Sequence, residues 1–225
     1  MIKAILYDLD GTLLNREASV ESFIHDQFKR KFSERRDLEE AHYCERFIDL
    51  DNNGYTWKDK VYEQLVEEFA LDISSKDLLD DYIKNFQSHC ISFKGMREML
   101  EGFQEKGYAL GLISNGRTEF QLNNIRSLGI EKLFDVLLIS EQEGIKKPDP
   151  VIFDRALERL NISAHEAVYV GDHPENDISG AKGAGLRTIW KKNEYGEAVG
   201  AGATVNELLE IVQVINEWTP QTTKN

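Results

Sequence analysis

Short aliphatic, β-branched segments alternate with amphipathic helical patterns along most of this chain, and that alternation restricts its fold more than any other feature. Five segments read as strands, at about 2–8, 108–113, 135–139, 167–171 and 187–190. Residues 118–128 place Phe120, Leu122, Ile125 and Leu128 at helical spacing, and 151–160 do so with Val151, Ile152, Ala156, Leu157 and Leu160. Pro148 or Asp149 supplies the entry to the second of these helices. Strand, helix, strand, helix predicts a parallel sheet covered on both faces. Residues 15–91 break the rhythm: they are helix-like throughout and rich in charge, with one strong interruption at Asp49-Leu50-Asp51-Asn52-Asn53-Gly54. The expected organisation is an α/β core, 1–14 with 92–225, and an all-helical insertion, 15–91, with hinges near 14–18 and 90–94. A last helix at about 204–217 should pack back on the sheet, with a frayed tail over 217–225.

The ends of the strands carry the chemistry. Ile2 to Tyr7 runs almost without a polar side chain into Asp8 and Asp10, followed by Gly11 and Thr12. Two carboxylates one residue apart repel each other, and holding both ionised at a strand end calls for a cation. An all-oxygen, carboxylate-dominated set suits hard Mg²⁺, typically shared between acids and substrate phosphate. The second strand ends in Ser114-Asn115-Gly116, a hydroxyl and backbone N–H groups suited to phosphate oxygens. After the third comes Lys146-Lys147-Pro148, and after the fourth Gly171-Asp172-His173-Pro174-Glu175-Asn176-Asp177. In a parallel sheet these ends share one rim, the edge where ligands bind in open α/β folds.

In this order, Asp8-Leu9-Asp10-Gly11-Thr12, Ser114, Lys147 before Pro148, and Asp172 with Asp177 resemble the four motifs of the haloacid dehalogenase superfamily. The likeness is to its phosphatases with a helical cap inserted after the first strand. It covers 1–14 and 92–225 and implies a Rossmann-like core with helices on both faces and an all-helical cap domain. It also implies that Asp8 attacks phosphorus to give an aspartyl-phosphate, and that Asp10 donates and then accepts a proton. Mg²⁺ would be held by Asp8, the Asp10 main-chain carbonyl and Asp172. Asp177 would support the metal through water or orient Lys147. Ser114, Asn115 through its N–H, and Lys147 would hold the substrate phosphate. Four acids and one lysine carry three negative charges, which a divalent cation reduces to one. The reaction implied is Mg²⁺-dependent hydrolysis of a small phosphorylated metabolite, whether nucleotide, sugar phosphate, small phospho-acid or acyl phosphate. A phosphomutase or dehalogenase on the same scaffold, or a non-catalytic regulatory protein, are the competing readings.

Composition restricts the partners. A formal net charge of −13 opposes a nucleic-acid surface. With 41% hydrophobic and 30% charged residues the chain has the balance of a soluble globular protein. No stretch approaches the roughly 20 apolar residues of a membrane span. Cys44 and Cys90 are far apart and without a histidine cluster, so neither a disulfide framework nor a thiolate zinc site is expected, and a cytoplasmic setting is the simplest.

Other motifs receive plainer readings. Asp49 to Gly54 imitates the opening of a calcium loop, but the twelfth position is Lys60 where a bidentate Glu is needed, so a helix–helix turn is expected. Lys29-Arg30-Lys31 with Arg35-Arg36 reads as a solvated helix face paired with Glu34, Asp37, Glu39 and Glu40. Phe47, Tyr55 and Trp57 are read as cap core, and Gly180, Gly183 and Gly185 as close helix–sheet contacts. His173 is expected to shape the acidic loop.

Overall fold

The computed structural model describes residues 1–194, 196–198 and 200–219. Contacts divide the chain into two compact units, Met1–Asn15 with Ser92–Asn225, and Arg16–Ile91.

The first unit is built on β1 (Ala4–Tyr7), β2 (Ala109–Ser114), β3 (Val136–Ile139), β4 (Ala167–Gly171), β5 (Arg187–Lys191) and β6 (Ala203–Val205). They form one sheet in the order β3-β2-β1-β4-β5-β6, with every pair parallel. Chain order reverses direction between β1 and β4, the switch point outside which open α/β sheets leave a crevice. Successive strand residues face opposite sides of a sheet. Here both rows are buried: Leu6, Ile113 and Tyr169 on one face, Ile5, Leu112 and Val170 on the other. That is why the segments read as continuous apolar runs rather than as alternating ones. The first face packs against Ile152, Phe153, Ala156 and Leu157.

Two sequence expectations are corrected in this unit. Among the described residues there are six strands where five were expected, and the last helix begins at Glu210, not near 204, because Ala203–Val205 pairs with β5. A three-residue edge strand offers too short a pattern to separate from the helix after it. Most of the expected tail, Pro220 to Asn225, lies outside the described residues.

The second unit contains α1 (Arg16–Phe32), α2 (Glu40–Asp51), α3 (Lys58–Glu68) and α4 (Ser75–Asn85). Its core is aromatic: Phe23 meets Tyr82 edge-on at 5.0 Å, and Phe47 packs on Tyr62 at 5.4 Å. Gln27 is buried but satisfied, donating to the Leu78 carbonyl (3.1 Å) and Asp81 (2.9 Å) and accepting from Tyr62 Oη (2.9 Å). The Asp49–Gly54 segment is the expected turn, made by Asn52, Asn53 and Gly54 at φ of 44°, 55° and 87°. Asn and Gly tolerate that left-handed conformation best. The carboxylate of Asp51 is buried against Arg16 and Lys58, so it serves as an ion-pair centre.

Phe47 is core as expected, but Tyr55 and Trp57 are 64% and 75% exposed, because they lie in and just after this turn, away from the helix stripes. In the basic run, Lys29 and Arg35 reach Glu40 and Asp37 as anticipated, whereas Arg30 pairs with Asp26 and Asp81. Among the described residues no helix is long and apolar enough to cross a membrane.

The remaining helices belong to the first unit: α5 (Met96–Glu105), α6 (Thr118–Ser127), α7 (Ser140–Glu143), α8 (Pro150–Leu160), α9 (Gly180–Gly183) and α10 (Glu210–Trp218). Of the three glycines read as helix–sheet contacts, only Gly180 is tightly packed, and its neighbours are Phe153 on α8 and Pro148. Gly185 adopts φ of 81°, and Gly183 faces open space.

Candidate active site

Asp8 continues β1 past the last ladder pair, its N–H donating to the Val170 carbonyl at 2.9 Å. The chain then folds into a tight turn in which the N–H groups of Leu13 and Leu14 both reach the Leu9 carbonyl, at 2.9 and 2.8 Å. Gly11 is required there twice over. Its φ is 84°, and a Cβ would fall 2.3 Å from Asp172 Oδ2. The close approach brings Thr12 Oγ1 to donate to Asp172 Oδ1 at 3.2 Å, joining the β1 loop to the end of β4.

Asp172 is held from the other side by β5 and the segment just after it. Trp190 Nε1 donates to its carbonyl at 2.8 Å, and Asn193 Nδ2 donates to its Oδ2 at 3.0 Å. The chain next winds into a π-helical turn, Pro174–Ser179, a wide turn frequent at functional sites. His173 opens it, its Nδ1 accepting from the N–H groups of Glu175 and Asn176 at 3.1 Å each. The turn carries Asp177 back toward β4. There Gly171 leaves the room needed, since a Cβ on it would lie 2.4 Å from the Asp177 side chain.

Lys147 lies between the acids. Its buried Nζ donates to Asp8 Oδ1 (2.5 Å), Asp177 Oδ1 (2.6 Å) and Tyr169 Oη (2.9 Å), three acceptors for three N–H bonds. Asn115 clamps the backbone of the same residue. Its Nδ2 donates to the Lys147 carbonyl at 3.0 Å and its Oδ1 accepts from the Lys147 N–H at 2.9 Å. The Asn115 side chain thus positions the lysine loop, in addition to the backbone N–H role anticipated for this residue.

Four strand ends are therefore joined: Asp8 with Lys147, Lys147 with Asp177, Asp8 near Asp172, and Asp10 with Ser114. The last link runs through Gln121 of α6. Its Nε2 has three acceptors in reach of its two N–H bonds, so one is shared: Asp10 Oδ2 at 2.6 Å, Ser114 Oγ at 2.9 Å and the Asn115 carbonyl at 3.1 Å. Neither Gln121 nor Tyr169 was picked out from the sequence. In α6 the apolar stripe Phe120, Leu122 and Leu128 is only half-buried, while the amides Gln121 and Asn124 are buried with Ile125. Two amides three apart on the helix that follows Ser114-Asn115-Gly116 were the available signal. Also unforeseen is Lys191, buried at the end of β5 with its Nζ 3.4 Å from the Phe93 ring centre.

Oxygens of Asp8, Asp172 and Asp177 lie within 4.8 Å of one another. Burial pushes the Asp8 carboxyl well above its usual range, and Asp177, Asp172 and Asp10 push it further against the opposing pull of Lys147. Asp172 rises to about 7, chiefly through burial and then through Asp177. Burial would lower the Lys147 ammonium, but Asp177 and Asp8 outweigh it and hold the amine protonated. One ammonium does not neutralise this many crowded carboxylates. An all-oxygen, charge-deficient cluster fits a hard divalent cation such as Mg²⁺. Asp8, Asp172 and Asp177 could hold it together; Asp177 is ion-paired to Lys147 through Oδ1 and accepts the His173 N–H on Oδ2 at 3.0 Å, whereas Asp172 meets only the neutral donors Thr12 and Asn193. The Asp10 carboxylate is turned to Gln121, which leaves its main-chain carbonyl as the group to offer.

A pH dependence follows. Below about 7 Asp172 holds a proton that a metal ion must displace, and above it the carboxylate is free to bind. Mg²⁺ affinity should rise steeply from pH 5.5 to 8. Titration calorimetry measures it directly, and the indole of Trp190 offers a fluorescence signal. An affinity independent of pH would mean that Asp172 is not a ligand.

The comparisons agree with this geometry. The family model described as haloacid dehalogenase-like hydrolase matches residues 5–191. A glyceraldehyde 3-phosphate phosphatase of Pyrococcus abyssi is 32% identical over 218 residues, covering 88% of this chain and 83% of its own. A phosphatase from Thermococcus onnurineus superposes with a TM-score of 0.67 at 26% identity, over 95% of this chain and 98% of its own. A 2-haloacid dehalogenase from Pseudomonas syringae also superposes, with a TM-score of 0.62 at 27% identity over 97% and 100%. Backbone likeness thus spans two reactions, and the side chains must separate them.

Proposed function

The chain belongs to the haloacid dehalogenase-like hydrolases, and from that membership we propose that it is a Mg²⁺-dependent phosphatase of a small phosphorylated metabolite, working through a phosphoaspartyl group on Asp8. The observation that carries this reading is the second acid, Asp10, held beside the nucleophile by Gln121 and joined to Ser114. Displacement of halide from carbon has no use for a proton donor or a divalent cation. Expulsion of an alkoxide from phosphorus needs both charge neutralisation and a proton. The phosphatase names of relatives such as that of Pyrococcus abyssi point the same way.

Lys147 holds Asp8 Oδ1, leaving the other oxygen to attack. As the Asp8–phosphorus bond forms, the ester P–O bond breaks and its electron pair leaves on the alkoxide, which takes the Asp10 proton. Water then attacks the phosphoaspartate, the Asp8–phosphorus bond breaks, and Asp10 recovers a proton from the water. Ser114 and the Asn115 N–H hold the phosphoryl oxygens, where negative charge spreads in the transition state, and the Lys147 ammonium offsets that charge from its place on Asp8. A bound Mg²⁺ would supply charge neutralisation at the same oxygens.

Phosphate release from a panel of small phosphate esters, with Mg²⁺ and with EDTA, tests this. The expected result is hydrolysis of at least one ester, falling to background in EDTA. Haloacid turnover in EDTA, or conversion of a sugar phosphate to an isomer without free phosphate, would overturn it.

A further inference from the structure

We propose that Gln121 is the positioning residue of the acid–base step, assigning proton transfer to one oxygen of Asp10; this rests on the phosphatase reading above. Gln121 is buried, yet its amide nitrogen reaches three acceptors on two other site segments, Asp10 Oδ2, Ser114 Oγ and the Asn115 carbonyl. Its orientation is dictated by chemistry. A carboxylate and a carbonyl only accept, so the NH₂ end must face them. The oxygen end accepts from Asn124 Nδ2 at 3.2 Å, itself buried on the next turn of α6. Space is reserved for the arrangement as well: a Cβ on Gly116, whose φ is 153°, would lie 2.9 Å from Gln121 Nε2.

The shortest of the three bonds, 2.6 Å, is to Asp10 Oδ2. An ionised acceptor makes the strongest hydrogen bonds, and this one ties up Oδ2. Oδ1 is thereby the oxygen that carries the proton to the leaving group and later takes one from water. By donating to Ser114 Oγ, the same amide directs the serine hydroxyl hydrogen away from α6, toward a phosphoryl oxygen. One side chain therefore sets both the acid and a phosphate donor, and a loss at this position should depend on how much the leaving group needs a proton.

The test compares two esters on the full chain with Mg²⁺. An alkyl phosphate must be protonated as it leaves, whereas p-nitrophenyl phosphate departs as a stabilised anion. kcat/KM reports events only through departure of the alcohol or phenol. For Gln121→Leu, kcat/KM on the alkyl ester should fall about 10²-fold, the low end of general acid catalysis. On the aryl ester it should fall no more than about threefold, beyond the shared loss at Ser114. Aryl kcat should fall together with KM, because the water step still needs Asp10 as base. Gln121→Met keeps the length of the side chain without a donor, and should show the same split if Gln121→Leu folds poorly. Equal falls on both esters, or none, would overturn the proposal and leave the phosphatase reading standing. The alkyl phosphate is one that the wild type hydrolyses in the panel, and a wild-type protein that hydrolyses no ester of the panel would fail that reading instead, and the inference with it.

Discussion

Asp8→Asn should leave a folded, metal-responsive protein whose turnover has dropped on the order of 10⁴-fold or more, the scale of removing a covalent nucleophile. The carboxamide keeps the shape of the carboxylate and still offers an oxygen to Lys147, which retains Asp177 and Tyr169. What it lacks is a nucleophilic oxygen. Acid-quenched wild-type enzyme should carry label from a labelled phosphate ester, and the variant none. Stability should move the other way. Asp8 resists ionisation because it is buried among Asp177, Asp172 and Asp10, with only Lys147 in its favour. Replacing it with a neutral amide removes repulsion, so the metal-free variant should melt at or above the wild-type temperature near pH 8. A thermal melt beside the rate assay separates the two effects. Normal turnover by a well-folded Asp8→Asn protein would remove the covalent mechanism.

This opposition of stability and function explains which parts of the molecule were legible in the sequence. The strands of the core were readable because a parallel sheet buried on both faces needs uninterrupted apolar residues, as in Ala4 to Tyr7 and Ala167 to Val170. The polar clusters stood out because each breaks such a run where the chain leaves the sheet. β6 was hidden because an edge strand of three residues, Ala203-Thr204-Val205, has no second row to bury. Gln121 was hidden for a different reason. Hydrophobic periodicity assumes that the inward face of a helix is apolar, whereas α6 turns two amides inward to serve Asp10 and Ser114. Tyr169 was masked because a tyrosine in a buried strand looks like packing, and only coordinates show its hydroxyl at Lys147. Tyr55 and Trp57 mark the converse, aromatic residues that the Asn52-Asn53-Gly54 turn leaves outside a core already filled by Phe23, Phe47, Tyr62 and Tyr82.

Lys147→Met should be the most destabilising single change at the site. The ammonium is almost wholly buried and is the only cation in ion-pair contact with Asp8 or Asp177 among the described residues. Removing one partner of a buried ion pair typically costs about 3–5 kcal/mol, because the remaining charge has lost its compensation. Here two carboxylates lose it together. The loop itself should stay in place, since Asn115 holds the Lys147 backbone from both sides, so the variant isolates the charge. The sign with pH follows from the carboxyls. Asp8 and Asp172 already have folded pKa values above their unfolded ones, and loss of Lys147 raises Asp8 further. A carboxyl with a raised folded pKa loses stability as pH climbs from its unfolded value through its folded one. The deficit against wild type should therefore be small near pH 4, grow through pH 7 and be largest at pH 8. Mg²⁺ replaces part of the missing positive charge, so it should raise the melting temperature of the variant more than that of the wild type. Activity should not return with it: a metal ion restores charge but not the directed N–H bond to Asp8, and turnover should remain about 10²–10³-fold down. Denaturant unfolding at pH 5 and pH 8, with and without Mg²⁺, reads all of this. Equal stability of variant and wild type at pH 8 without metal would mean that the ammonium does not hold the acidic cluster together.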